Sequence, residues 1–357
     1  MPTVFRLVDS KDVELRDDFW SRWQKKADSV TSTATKQWPW QEIRTQIPTA
    51  NRIAAWEAML PKQDFTGMCW PNDFDNKTST VIKILMPMLR ENLELAMLTG
   101  ESRYFDMAEK LLANQILHLY IFDRAWNKPD AELNSLIYNV GSMAYGVSNS
   151  DVYVNMFMHS NVNISNDSID LRMQVENNSP WENETTISFA NGKATDNKEF
   201  DMTLHIRVPF WVNGQDVILP RFKAKTINKV PSFVLNNQEI TPEYKDGYAV
   251  IKRHWSKDDV LTVKMPNPIL QISDVERPKM IAWQRGPLIY NVHSLFKNTV
   301  FDQTVPLKEG REKYIEGVVL KGKQVNKYGQ LNALCVPYYE SGGIGLPSGR
   351  DLFAPTN

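Results

Sequence analysis

Cysteine is scarce. The 357 residues contain two, Cys69 and Cys335. They are far apart in sequence, which excludes a disulfide framework and a cysteine-rich zinc site. No charge of one sign dominates: 41 Lys+Arg face 42 Asp+Glu, for a formal net charge of -1. That balance gives no electrostatic argument for nucleic acid or an anionic membrane, which would favour a basic face. Long apolar runs are also missing. The densest stretch, Val81 to Leu98, is interrupted by Lys83, Pro87, Arg90, Glu91 and Glu94, so it is no membrane span. The opening MPTVFRLVDS lacks a basic segment leading into an apolar one, so no export signal is visible; a chain whose signal has been removed would read the same. None of the five histidines, His118, His159, His205, His254 and His293, stands in H-x-x-x-H spacing. Gly342-Gly343-Ile344-Gly345 lacks the Lys-Ser/Thr and the helix pattern of a phosphate loop. These residues indicate no metal and no cofactor.

What is present is an ordinary globular composition, 42% hydrophobic and 23% charged, with 11 Trp. The length suits two or three domains. Tryptophan serves as core material or as a platform for sugar rings.

The chain changes character near residue 150. Before it, the spacing predicts helices. One opens at Asp17-Asp18-Phe19-Trp20 and another spans Asn51 to Leu60. Val81 to Leu98 forms a third, kinked or restarted at Pro87 and closed by Gly100. A fourth is capped by Ser102 and carries Tyr104, Ala108, Leu111, Leu112, Ile116 and Leu119 on one face. From Asp151 the period becomes two, over Val152 to Met158, Ile169 to Val175, Met202 to Val208, Tyr248 to Lys252, Val260 to Met265, Met280 to Gln284 and Leu288 to Val292. Turn pairs Asn213-Gly214, Asn236-Asn237 and Asp246-Gly247 fall between them. The fold class is α + β and multidomain: a helical region over residues 1–150, then one or two antiparallel β-sandwich units over 151–357.

Several segments, in order, carry a resemblance. They are Asp17-Asp18-Phe19-Trp20; Leu98-Thr99-Gly100-Glu101 with Tyr104, Asp106, Glu109 and Asn114; and Asp151-Val152-Tyr153-Val154-Asn155. Ser179-Pro180-Trp181, Leu204-His205-Ile206-Arg207-Val208-Pro209-Phe210-Trp211, Arg285-Gly286-Pro287-Leu288-Ile289-Tyr290 and Val336-Pro337-Tyr338-Tyr339 follow. Together they resemble the β-L-arabinofuranosidase-type glycoside hydrolases, family 127 and its relatives. The resemblance implies an (α/α) barrel holding the catalytic site, followed by β-sandwich domains. It implies retaining hydrolysis of β-L-arabinofuranosides, with a zinc-held Cys thiolate as nucleophile and a Glu as general acid/base. Zinc lowers a thiol's pKa and positions its sulfur.

The catalytic parts of that pattern are not present. Where the resemblance implies Glu-Thr-Cys, upstream of the Thr99-Gly100 helix start, Asn76 to Lys83 offers neither Glu nor Cys. Where it implies a Cys pair, Asn134 to Ser150 contains no Cys. Twelve barrel helices of about 11–12 residues with loops of about 4–6 need roughly 190–215 residues. That leaves the helical region, about 150 residues before the first strand, as a shortened, partial barrel.

The remaining candidates, His159 apart, cluster in residues 63–80. Asp64 is the acid candidate, Cys69 a relocated nucleophile, and Asp73 a second carboxylate or a helix cap. Trp70 offers a stacking face. Asn72 lies in Pro71-Asn72-Asp73, which resembles a loop of the family, and His159 ends a strand where it can face a domain junction. Asp106 and Glu109 suit the first turns of a helix by dipole alone. Arg207 and Arg285 suit structural carboxylate pairs, and His205 suits the exposed face of its strand. The expected function is a glycoside-hydrolase-like protein acting on plant-type arabinose-containing glycans, weak or inactive without the zinc-thiolate set. The alternative is a non-catalytic carbohydrate-binding or structural β-sandwich protein. The expected partner is a carbohydrate ligand, with no nucleic acid and no membrane. Self-association would cover the apolar helix faces, such as Val81 to Leu98, that a shortened barrel exposes.

Overall fold

The structure, a computed structural model, describes residues 3–29, 36–40, 42–69, 78–126, 130–191, 199–213, 219–224, 230–277, 280–292, 307–312, 315–326, 329–340 and 354–355. Helix α1 (Trp20–Asp28) starts where Asp17 accepts hydrogen bonds from the Trp20 and Ser21 amides, which satisfies its first orphan donors. Helix α2 spans Thr49–Met59 and α3 Thr78–Thr99. The helix does not restart at Pro87: α3 runs through it. Pro87 is exposed, so water can serve the carbonyl that loses its partner. Gly100 closes α3 with φ +75°, its N–H bonded to the Ala96 carbonyl at 2.8 Å.

Helix α4 (Ser102–Leu111) begins one residue earlier than its expected cap implies. Glu101 holds the cap position, and Ser102 is the first helical residue. The Ser102 N–H donates instead to the Asp246 carbonyl at 2.8 Å. The expected single helix through Leu119 is interrupted by a π turn at Leu112–Ile116 before α5 (Leu117–Trp126). Helix α6 (Ala131–Tyr138) is capped by Asp130, which accepts from the Glu132 and Leu133 amides at 2.9 and 3.1 Å. The apolar face of α3 is covered: Val81, Leu85, Leu89 and Leu93 are at most 1% exposed. The expected bare helix face is therefore not seen among the described residues. No described helix is long and apolar enough to cross a membrane.

Strands begin early, with β1 (Arg6–Leu7) and β2 (Val13–Leu15). After α6 come β3 (Tyr145–Ser148), β4 (Asp151–Val154), β5 (Ser160–Ser165), β6 (Asp170–Asn177), β7 (Glu184–Asn191) and β8 (Glu199–Arg207). A short α7 (Phe210–Asn213) precedes β9 (Phe222–Ala224), β10 (Ser232–Leu235), β11 (Gln238–Ile240), β12 (Glu243–Lys245), β13 (Tyr248–Ser256) and β14 (Val260–Lys264). The last are β15 (Ile269–Asp274), β16 (Met280–Arg285), β17 (Leu288–Val292), β18 (Lys308–Glu312), β19 (Ile315–Asn326), β20 (Gly329–Pro337) and β21 (Ala354–Pro355).

They form three sheets, ordered β1-β3-β4-β8-β13-β12, β11-β10-β14-β7-β6-β5-β2 and β18-β19-β20-β17-β16-β15-β9, with β21 pairing β16. The first two draw strands from both sides of residue 151. The pair β4–β8 is parallel; the other ladders are antiparallel. Across the first two sheets, Phe189 of β7 meets Trp255 of β13 with ring centroids 5.2 Å apart, so large aromatics fill the space between them. Asp246 and Gly247, both at positive φ, turn β12 into β13. A Cβ on Gly247 would lie 1.8 Å from the Ser102 hydroxyl oxygen. Only glycine lets this turn meet the start of α4.

Candidate functional site

The candidate segment follows α2. A 3₁₀ turn at Leu60–Lys62 leads into Gln63 and Asp64. Asp64 closes a compact turn: its Oδ1 accepts from the Thr66 amide at 2.8 Å, the Thr66 hydroxyl at 2.5 Å and the Met68 amide at 3.1 Å. From the π turn, the Gln115 carboxamide donates to the Thr66 hydroxyl at 2.8 Å. Asp64 thus serves as an acceptor that shapes the loop. Cys69 stands at the end of the same turn, half-buried, with its sulfur 4.0 Å from the Met59 carbonyl. Burial pushes its thiol pKa up, and the charge of Asp64 adds to this against a smaller pull from Lys62. A nucleophilic cysteine needs the opposite shift. Cys335 is fully buried on β20, and burial pushes its thiol up as well.

The structure brings Asp64 and Cys69 into one turn. It ties His159, between β4 and β5, to the start of α1 through its carbonyl, which accepts from the Arg16 and Asp17 amides at 2.7 and 3.1 Å. Trp70, Asn72 and Asp73 lie outside the described residues.

A cleft of about 420 Å³ adjoins the turn, between α2 and α3. Gln63 and Met59 form one wall, and Trp56, Met88, Glu91 and Asn92 are among the others. Its volume suits a small ligand. Arg52 bridges Glu91 at 2.8 Å and Glu94 at 2.6 Å, Arg44 bridges the same two at 2.7 and 2.9 Å, and Arg90 reaches Glu94 at 2.6 Å. Burial opposes ionisation of Glu94, yet Arg90, Arg44 and Arg52 hold its carboxyl below the ordinary value. Trp56 donates its indole N–H to Asn92 at 2.8 Å and packs edge-on to Tyr104 at 4.8 Å, so this tryptophan is wall rather than platform.

Beneath the turn lies a buried charge cluster. Arg207, at the end of β8, donates to Asp106 at 2.8 Å and to Glu109, both on α4. All three are buried. The helix dipole is not what places these acids; a guanidinium from the first sheet is. Lys110 is also buried, its ammonium 3.9 Å from the Phe65 ring centroid and 5.3 Å from that of Phe210. Burial drives the Lys110 amine down to about 7, against the nearby charges of Asp64 and Asp106. Arg285 anchors the third sheet in the expected manner, to Glu309 at 2.7 Å and to the Trp181 carbonyl at 2.8 Å. His205 departs from its expected exposure. It stacks on Tyr153 with centroids 4.1 Å apart and contacts Asp151 at 2.8 Å, because the parallel β4–β8 register sets Tyr153 beside it.

The resemblance implies a zinc centre, which needs ligands gathered at one point. Among the described residues, no three His, Cys, Asp or Glu side chains gather as a metal site. The two thiols lie on separate elements, and burial favours the protonated form of each. These residues do not fit a zinc-thiolate centre.

Comparison with known proteins bears on the fold. Residues 151–267 match the family model for the β-L-arabinofuranosidase GH127 middle domain. The chain is similar to a solved GH127 β-arabinofuranosidase, with 18% identity and a TM-score of 0.67 over 84% of this chain and 51% of that one. It is similar to a GH127 β-L-arabinofuranosidase from Geobacillus stearothermophilus T6, with 18% identity and a TM-score of 0.67 over 85% of this chain and 56% of that one. A further structure, a glycoside hydrolase, gives 17% identity and a TM-score of 0.66 over 84% and 61%. The chain thus spans 51% to 61% of the length of these structures. No curated protein matches it. The chain carries the middle-domain signature of family GH127 and shares the fold of its β-L-arabinofuranosidases, as its sequence motifs indicate.

Proposed function

We propose that this is a glycoside-hydrolase-like protein that recognises arabinose-containing, plant-type glycans and turns them over weakly or not at all. The GH127 middle domain and fold support the ligand class. The single observation that carries the limited turnover is the setting of Cys69: it stands half-buried at the end of the Asp64 turn with its sulfur 4.0 Å from the Met59 carbonyl, and burial there pushes the thiol up where a nucleophile needs it lowered. A carboxylate route would need two acids about 5–5.5 Å apart, one of them free to donate a proton. Asp64, the acid of this proposal, has Oδ1 occupied by three donors. Asp73 is the second carboxylate of the proposal, and Trp70, Asn72 and His159 are its ligand-facing residues.

The test is a panel of neutral plant oligosaccharides for binding, together with an aryl β-L-arabinofuranoside for hydrolysis. Arabinoside binding with trace or no hydrolysis is the expected result. Rapid hydrolysis contradicts the weak-turnover reading. No arabinoside binding contradicts the ligand class.

A further inference from the structure

A second cleft, of about 550 Å³, runs between the N-terminal segment and the end of α6. It shares no lining residue with the α2–α3 cleft. Its cations are already partnered: Lys11 bridges Asp9 at 3.0 Å, and Lys36 bridges Asp28. The cleft therefore offers little net charge to an anion. What it does offer is the half-buried ring of Trp38 with the exposed carboxamide of Gln37; the Lys36 ammonium lies over the Tyr138 ring at 5.3 Å, and Ser142 is buried in the floor. Aromatic faces take the C–H faces of sugar rings, while carboxamides and hydroxyls take their hydroxyl groups.

The cleft is also held in shape. Trp38 packs edge-on to Trp40 at 5.5 Å, and the Trp40 indole N–H is anchored to Glu132 at 3.0 Å. The Ser135 hydroxyl donates to the Gln37 carbonyl at 2.5 Å, and Gln24 donates to the Tyr138 carbonyl at 2.9 Å. Such bracing reduces the ordering cost of binding. A second groove of about 310 Å³ shares the wall of Leu7, Val8, Asp9 and Lys11 and leads on to Asn163 and Asp170. Two polar grooves along one strap suit an elongated ligand better than a compact one.

We infer that this cleft is an accessory binding site for a neutral oligosaccharide, separate from the cleft beside Asp64. It rests on the proposed function only for the choice of first probe. The experiment is isothermal titration of the full chain with linear arabino-, xylo- and cello-oligosaccharides. At least one should bind, and Trp38→Ala should weaken that binding at least about tenfold. Gln37→Leu, at an exposed side chain, should weaken it too, and it keeps the test valid if Trp38→Ala disturbs folding. Tyr244→Ala on β12, an exposed side chain in neither cleft, should leave it unchanged. Trp38-dependent binding of xylo- or cello-oligosaccharides alone supports this site while removing arabinose from the proposed function. Binding that neither cleft variant alters, or no binding of any probe, overturns the inference.

Discussion

Arg207 on β8 and Asp106 on α4 meet at 2.8 Å, with Glu109 as the second acceptor, all buried. The residues come from two separate sequence motifs, and their contact fastens the helical part to the first sheet. Removing the guanidinium would strand two carboxylates away from water. Arg207→Met should therefore cost about 3–5 kcal/mol, read as a lower urea midpoint. Adding Asp106→Asn and Glu109→Gln to that variant should recover part of the loss. A triple variant no more stable than the single one would contradict this account.

The same cluster predicts an unusual pH profile. Burial first, and then the charge of Glu109, push the Asp106 carboxyl from 3.8 up to about 7, against Arg207. Folding favours its protonated form, so its contribution is complete below pH 3.8 and lost as pH rises through about 7. Lys110 is the reverse. Its amine falls from 10.5 to about 7, so its contribution is complete above pH 10.5 and lost as pH falls toward 7. The Asp106 and Lys110 contributions together pass through a minimum near pH 7, while His118, whose imidazole burial pushes down to about 4, adds stability as pH rises from 4 to 6.5 and offsets part of the acid-side fall. Urea midpoints from pH 5 to 10 should show it, with Lys110→Met removing the alkaline rise and Asp106→Asn the acid-side fall.

Asn114 predicts a local effect. Its carboxamide donates to the Lys110 carbonyl at 2.8 Å and the Pro287 carbonyl at 2.9 Å, and accepts from the Ile289 amide at 2.8 Å. It ties the π turn to the β16–β17 hairpin. Asn114→Ala should cost about 1–3 kcal/mol by leaving buried polar groups unpaired. Amide hydrogen exchange should quicken at Ile289 more than at the distant β13.

Much of this architecture is legible in the chain. Alternation along β8 and β13, and the Gly100 stop after α3, follow directly from residue pattern, because local sterics decide them. β1 and β2 span only two and three residues, too short to show a period, yet they join the sheets. β7, Glu184–Asn191, carries only Ile187 and Phe189 as large apolar residues, so its strand signal is thin. The π turn carries Asn114, whose partners lie on a hairpin far along the chain, and the placement of His205 depends on the β4–β8 register. Arg207 could be assigned a carboxylate pair from sequence, but its partners, Asp106 and Glu109, could be named only once the fold was known. The clefts are likewise products of tertiary packing, and no linear spacing announces them.

Cys69 carries a prediction of its own. Its raised thiol pKa means little thiolate at neutral pH. Alkylation by iodoacetamide at pH 7 should be slower than that of free cysteine, and should accelerate as pH rises above 9. Fast alkylation at pH 7 would show an activated thiol.

The most direct test of the central claim is the rate of aryl β-L-arabinofuranoside hydrolysis with and without added zinc, compared between the natural chain and Cys69→Ser. The account predicts trace rates that neither zinc nor the substitution alters. Zinc-stimulated hydrolysis that Cys69→Ser abolishes would contradict it.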